Sequence, residues 1–421
     1  MRPLRRIALE DVPEARVSLP DAETTREAAR IVEDVRGRGE VALREHALRL
    51  GDVGPGDRVV WDRESLEAAR DALDPADRAV LERAARSIRR FASAQRESLQ
   101  EIRVPIPGGW AGHSVAPVSR AGCYAPGGRF PLPSSVLMTA VTARAAGVRS
   151  VWVASPRPAP ATLAAAAIAG ADALLAVGGA QAVAALAFGA GPVPRCDLIA
   201  GPGNRWVTAA KRIVAGEVGI DLVAGPSELV VLADGSADAD TISADLLAQA
   251  EHDPDAVPIL VTPDPAVADA VDAALASRLA SLRTAATAAA ALANGGVVLV
   301  PSLEAGAEVC NRLAPEHLEV MTREPRALAA RLVHYGALFL GAGAGEVLGD
   351  YGAGPNHVLP TGGAARFTGG LSVFTFLRVR TWVEIDDGVA AEPLLRDAAA
   401  LARMEGLDAH AAAAAARLAG G

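Results

Sequence analysis

From residue 150 onward the chain repeats one plan: a short apolar run, a helical stretch, then another apolar run. The first set is Val151–Ala154, Leu174–Val177, Leu198–Ala200 and Leu222–Ala224, each about 23 residues from the next, the length of a βα unit. A second set follows at Leu229–Ala233, Ile259–Thr262, Val297–Val300 and Ala337–Leu340, again with helical stretches between. None of these runs alternates apolar with polar residues. Strands of that kind belong to parallel sheets covered on both faces, with right-handed crossovers between neighbours. The fold class expected is therefore α/β: two open Rossmann-like α/β domains with parallel sheets.

The flanks differ. Residues before 120 read as mostly helical. Asp21 can cap a helix that Gly37 and Gly39 end, and a long helical stretch from Ser65 to Arg96 is broken at Asp74-Pro75. Ile102 to Val118 looks extended. After Leu371 come one β-like run, Thr381–Ile385, and Ala-rich helices too small for a core of their own, so this tail should pack on something larger, such as a second subunit. At 421 residues, two or three domains are expected. The expected layout is a small N-terminal helical arm over 1–19, a discontinuous first α/β domain over 20–123 and 230–370, a second over 124–229, and a small C-terminal tail domain over 371–421.

Several functions are disfavoured at once. Net charge is −9 with no basic block, which speaks against nucleic acid as the main partner. Between Pro158 and Pro194 the only charge is Asp172, but Gln181 and several Gly interrupt an Ala-rich run, so no membrane span is expected. The start, MRPLRRIALEDV, has no apolar stretch behind its basic residues, and no signal peptide is expected. Cys123, Cys196 and Cys310 are scattered, which fits a reducing, cytoplasmic setting. Among 41 basic residues the only lysine is Lys211. It follows Ala210, so there is no Walker A loop, and no tyrosine has a lysine four residues on. A Schiff-base lysine would have to be Lys211.

Four segments could carry chemistry. Asp238 can cap a helix that ends near Gln249 and His252, whose i, i+3 spacing puts both side chains on one face. Histidine beside an oxygen ligand suits a borderline metal such as zinc, although a dipole-favoured His at a helix C-terminus explains the pair equally well. Glu316-His317, read at a helix end, could project a carboxylate and an imidazole into one cleft as a general acid–base pair, or form a surface terminus. The Gly-rich stretch from Gly349 to His357 offers Asp350 and His357. Glu405 to His410 sits between the tail helices. His46, His113 and His334 have ordinary surroundings and read as solvated or core-satisfied.

No GxGxxG fingerprint follows a strand with an acid about 20 residues on. Three other Gly-rich turns do end strands: Tyr124-Ala-Pro-Gly-Gly, Gly178-Gly179-Ala180-Gln181 and Gly201-Pro202-Gly203-Asn204. Such turns mark the ligand crevice of an open α/β sheet, and a helix N-terminus after Asn204 could take a phosphate. Residue chemistry thus gives a nucleotide-binding α/β protein with a candidate metal and an acid–base pair, but no reaction.

Taken together and in order, these motifs resemble histidinol dehydrogenase. The run from Ile220 to His252, IDLVAGPSELVVLADGSADADTISADLLAQAEH, matches the family signature nearly end to end, with Ser243 off the usual small apolar choice. YAPGG at Tyr124, GGAQAVAALAFG at Gly178, GPGN at Gly201, APEHLE at Ala314 and GDYGAGPNHVLPT at Gly349 match as well. The resemblance implies oxidation of L-histidinol to L-histidine through L-histidinaldehyde, with two hydride transfers to NAD, the last step of histidine biosynthesis. It implies one zinc per subunit and a homodimer whose tail reaches the partner's active site. Metal ligands would be Gln249, His252, Asp350 and His410, and the acid–base pair Glu316 and His317. Substrate would meet Ser227, His317, His357 and Glu405 besides the metal ligands. NAD would meet Tyr124, Gln181 and Asn204. A zinc hydrolase without HExxH and a non-catalytic ligand-binding α/β protein are the alternatives.

Overall fold

A computed structural model describes residues 3–14, 20–127 and 130–418. Parts of the expected arm, Gly128 of the YAPGG turn and the last three residues of the tail lie outside them.

Two six-stranded sheets dominate. Sheet I runs β2 (Val60–Asp62), β7 (Ala173–Leu175), β6 (Ser150–Ala154), β5 (Arg120–Tyr124), β8 (Leu198–Ala200), β9 (Gly219–Ile220). All neighbours are parallel except β2, which runs antiparallel to β7. Sheet II runs β1 (Arg6–Ile7), β12 (Gly296–Leu299), β11 (Val257–Thr262), β10 (Glu228–Ala233), β13 (His317–Met321), β14 (Ala337–Leu340), all parallel. In each, the chain first lays down an edge strand, β2 or β1, then enters at a central strand, steps outward toward that edge and returns to the other side. The switch points lie between β5 and β8 and between β10 and β13. A third, antiparallel sheet joins β3 (Ile102–Ile106) and β4 (Gly109–Pro117) to the tail strand β15 (Leu377–Ile385).

Both large sheets are buried on two faces, which is why their strands lack alternation. Helices Arg63–Ala72, Pro75–Ser98, Pro133–Ala146 and Pro160–Ala169 cover one face of sheet I. Ala22–Arg38, Glu40–Arg49, Gly179–Phe188 and Arg205–Val214 cover the other. With aromatics at 4%, the fill is Ala, Val and Leu, and Ala-rich helices such as Gly179–Phe188 approach the sheet closely. A fully buried Leu such as Leu186 contributes about 2 kcal/mol of transfer free energy.

The expected grouping of 20–123 with 230–370 is corrected. Strands β2 and β5 hydrogen-bond into sheet I, and Ile31, Val32 and Val35 of the first long helix pack in its core. Val358, Leu371, Val373 and Phe376 also join the sheet I core. Residues 22–220 thus form one unit, and 228–340 with β1 the other. Periodicity reports that a helix has an apolar face; it does not say which sheet covers it. Where described, the N-terminal arm is an edge strand, β1, followed by a 3-10 turn at Leu9–Asp11. The strand expected at Leu222–Ala224 lies earlier, at Gly219–Ile220.

Candidate active site

The three Gly-rich turns all leave the carboxyl ends of sheet I strands. They are tied together by side chains: the Tyr124 hydroxyl accepts from the Gly179 N–H at 3.2 Å, and Asp52 accepts from the Gly178 N–H at 3.1 Å and from the Gln181 amide at 2.8 Å. Gln181 is buried, and its Oε1 has no partner among the described residues. Burial pushes Asp52 above the usual carboxylate range. Asn204 caps helix Arg205–Val214 through its Oδ1, accepting from Trp206 N–H at 3.0 Å and Val207 N–H at 3.2 Å. The sequence reading did not single out Asp52, which lies in the loop before β2 with no motif around it.

Sheet II contributes its opposite edge. Glu316-His317 does not sit at a helix end. Helix Leu303–Leu313 closes first, Ala314 takes a left-handed conformation, and His317 begins β13 beside Glu228, the first residue of β10. Both are buried at the amino end of the central strands. The Glu316 Oε2 accepts from Glu228 N–H at 3.0 Å. Burial raises the Glu316 carboxyl well above its ordinary range, while hydrogen bonds from Glu228 N–H and the Ser227 side chain oppose the rise. Glu228 itself is pushed up to about 7 by burial.

His317 Nδ1 lies 3.2 Å from the Glu228 carbonyl, which fixes it as the donor and leaves Nε2 as the acceptor. Nε2 points toward Asp350, 3.9 Å from its Oδ1. Burial lowers the His317 imidazole to about 4, so it is neutral at pH 7. Asp350 gathers two more histidines: His252 Nε2 at 4.0 Å, and His357, whose Nδ1 donates to the Asp350 carbonyl at 3.1 Å. His357 in turn meets Ser135 of a sheet I helix at 3.4 Å, and Asn356 donates to Met138 on that helix at 2.8 Å. The amino edge of sheet II is thereby seated against the sheet I unit.

A second residue, Glu346, escaped the sequence reading. Glu346 lies four residues before Asp350 on the short helix Glu346–Tyr351, and that spacing was a legible signal. Ligand atoms of His252, Glu346 and Asp350 all lie within 4.8 Å of one another. One imidazole with carboxylates fits zinc or a similar borderline ion. Gln249, fully buried, turns its amide toward Glu346, at 3.1 and 3.2 Å from the two carboxylate oxygens. Burial and the neighbouring carboxylates Asp350, Glu319, Glu316 and Asp245 raise Glu346 well above the usual range. Behind it, Glu319 accepts from Glu346 N–H at 2.7 Å and is pushed up to about 8 by burial and by Asp245. Among the described residues no lysine or arginine pairs with these acids. Such a cluster favours a cation or retained protons.

Glu405 and His410 do not join this group within one chain. Both are exposed, at and beyond the end of helix Glu392–Met404, in a tail that packs on β4 and on itself.

Comparison with known proteins gives one answer. A family model described as histidinol dehydrogenase matches residues 15–418. A histidinol dehydrogenase of Thermus thermophilus is 47% identical over 382 residues, 90% of this chain and 91% of its own. One from Thermobifida fusca is 45% identical over 99% of this chain and 98% of its own. A crystal structure of histidinol dehydrogenase from Elizabethkingia anophelis superposes with a TM-score of 0.92 at 28% identity, covering 99% of this chain and 98% of that one.

Proposed function

This chain belongs to the histidinol dehydrogenase family, and from that premise we propose that it oxidises L-histidinol to L-histidine through L-histidinaldehyde, reducing two NAD, in a cytoplasmic homodimer with one zinc per subunit. The carrying observation is the juxtaposition of two edges. The turns of Tyr124, Gln181 and Asn204 leave the carboxyl ends of sheet I, the usual dinucleotide crevice. Against that unit sits the buried Glu316–His317–Asp350 group of sheet II. In this reading the metal ligands are Gln249, His252 and Asp350, with His410 supplied by a second copy and Glu346 steering Gln249. Zinc held by these residues would supply a template that positions the substrate, and NAD would supply the hydride acceptor.

The chain's own residues then have separable work. His317 is neutral, its Nδ1–H fixed on the Glu228 carbonyl, so Nε2 takes the hydroxyl proton as hydride leaves the alcohol carbon. Glu316 removes a proton from water as that water attacks the aldehyde; the resulting hydrate loses a second hydride to give the acid. Burial makes Glu316 costly to ionise, and a carboxylate so raised is a stronger base once formed. Ser227, His357 and Glu405 would complete the substrate contacts. The rival second step, a cysteine thiohemiacetal, needs a thiolate. Cys123 and Cys310 are fully buried with thiols pushed up to about 12, and burial also raises Cys196, so none supplies one at neutral pH.

The exposed tail supports the dimer. Val379, Val383, Leu401 and Met404 leave apolar surface uncovered in the single chain. Histidinol added to the zinc-loaded protein with NAD should yield two NADH per histidinol, read by absorbance. No NADH, or hydrolysis of an ester or amide instead, would overturn the reading.

A further inference from the structure

We infer that Lys211 and Asp221 are positioning residues that clamp the Gly201–Asn204 turn into the shape that receives the dinucleotide, and so set NAD affinity without touching histidinol; the inference rests on the function proposed above. Lys211 is the chain's sole lysine, and its side chain is only 3% exposed. It lies on helix Arg205–Val214, directly after the turn. Its ammonium forms an ion pair with Asp221, whose side chain is 1% exposed and which follows β9.

Both partners grip the same residue. Lys211 Nζ donates to the Gly201 carbonyl at 3.0 Å, and Asp221 Oδ2 accepts from the Gly201 N–H at 2.7 Å. Strand β8 ends at Ala200, so Gly201 is the point where the chain leaves the ladder and its two peptide groups lose their sheet partners. The buried ion pair replaces both. Gly201 also has φ +127°, and a Cβ there would come within 2.0 Å of the Tyr124 carbonyl oxygen, so the turn rests directly on the end of β5. Tyr124 in turn holds Gly179. Displacing Gly201 therefore shifts one Gly-rich turn directly and presses on the two others.

The choice of lysine in an otherwise all-arginine chain follows. Nζ meets one carbonyl and one carboxylate. A guanidinium would bring five N–H donors into a site that offers those two acceptors, leaving donors buried and unpaired. The pair is neutral as a whole, so it fixes shape without adding net charge beside a pyrophosphate.

The test uses the zinc-loaded dimer with Lys211→Met and Asp221→Asn, which keep side-chain volume. Both should raise the KM for NAD by roughly 10- to 100-fold, the cost of loosening a positioned group by about 1 Å. The KM for histidinol and kcat at saturating NAD should stay within about threefold. NADH titration followed by its fluorescence, without histidinol, should show the same weakening, while circular dichroism shows folded protein. Wild-type protein that binds no NADH overturns the cofactor reading and the clamp with it. Variants that bind NADH within threefold of wild type overturn the clamp and leave that reading standing. Variants that unfold, or lose histidinol and NAD affinity alike, make the pair a general core support and overturn the clamp too.

Discussion

Sheets I and II share a strand order and present opposite ends to the site. Sheet I uses the carboxyl ends of β5, β7 and β8, where Asp52, Tyr124 and Asp221 hold the N–H groups of the Gly turns and the buried Lys211 is paired with Asp221. Sheet II uses the amino ends of β10 and β13, where side chains rather than turns do the work. There six acids, Glu228, Asp245, Glu316, Glu319, Glu346 and Asp350, face histidines and one another. One plan of strands therefore serves two electrostatic purposes. Sheet I offers a cradle of backbone turns held by Asp52, Tyr124 and Asp221. Sheet II offers a pit of crowded carboxylates, in which burial raises Glu228, Asp245, Glu316, Glu319 and Glu346 above the ordinary carboxylate range. Topology alone does not tell which end of a sheet is active.

The strongest way to break this contrast is to remove the proposed zinc. Chelation should abolish turnover while far-ultraviolet circular dichroism stays essentially unchanged, because the ligands come from segments of cores already formed, unlike a zinc finger. Loss of the helical signal on chelation would mean that the acidic pit cannot exist without its metal.

Next in size is the acid–base pair. Glu316→Gln should cost about 10²–10⁴-fold in the aldehyde-to-acid step and far less in the alcohol-to-aldehyde step, assayed separately from histidinaldehyde and histidinol. His317→Asn should harm the first step. Equal losses in both steps for Glu316→Gln would make that carboxylate an orienting group rather than the base.

A pH experiment sharpens the electrostatic half. Glu319 is raised from 4.5 to about 8, so the folded chain holds its proton where the unfolded chain has released it. Below about pH 4.5 both states are protonated and nothing is lost. As pH rises toward about 8 the unfolded state gains by ionising, and stability falls. Glu319→Gln removes that titration. The gap in urea midpoint should therefore move in the variant's favour between about pH 5 and pH 8. A pH-independent gap would mean Glu319 is ionised in the native protein.

The smallest effects should come from Cys123→Ala, Cys196→Ala and Cys310→Ala. Each should keep turnover within a few-fold and lose about 1 kcal/mol of stability to the small cavity, read from thermal melts and paired assays. An isolated block of the aldehyde step in one of them would bring back the covalent route.

Most strands were legible because both faces are covered and the residues are uniformly apolar. Strand β13 shows one limit. Its sequence, HLEVM, carries a histidine and a glutamate that are wholly inside, so a strand at the heart of sheet II read as a polar terminus. Gln249, His252, Asp350, Glu316, His317 and His357 were singled out from their local sequence, and the fold brings them together. Asp52 was missed because its role arises from Gly178 and Gln181, far away in sequence, whereas Glu346 had a legible signal in its spacing from Asp350. The side of the molecule to which residues 22–98 belong could not be read from helix periodicity, since an apolar stripe fits any sheet of matching width.

The solitary lysine has one more consequence. A protease that cuts after lysine finds a single site in the chain, and that site lies inside the core of sheet I. The native protein should resist it, and cleavage should give two nearly equal halves, 211 and 210 residues long, only when helix Arg205–Val214 comes away from its sheet. The rate of that single cut becomes a clock for the opening of one domain, readable on a gel without any label.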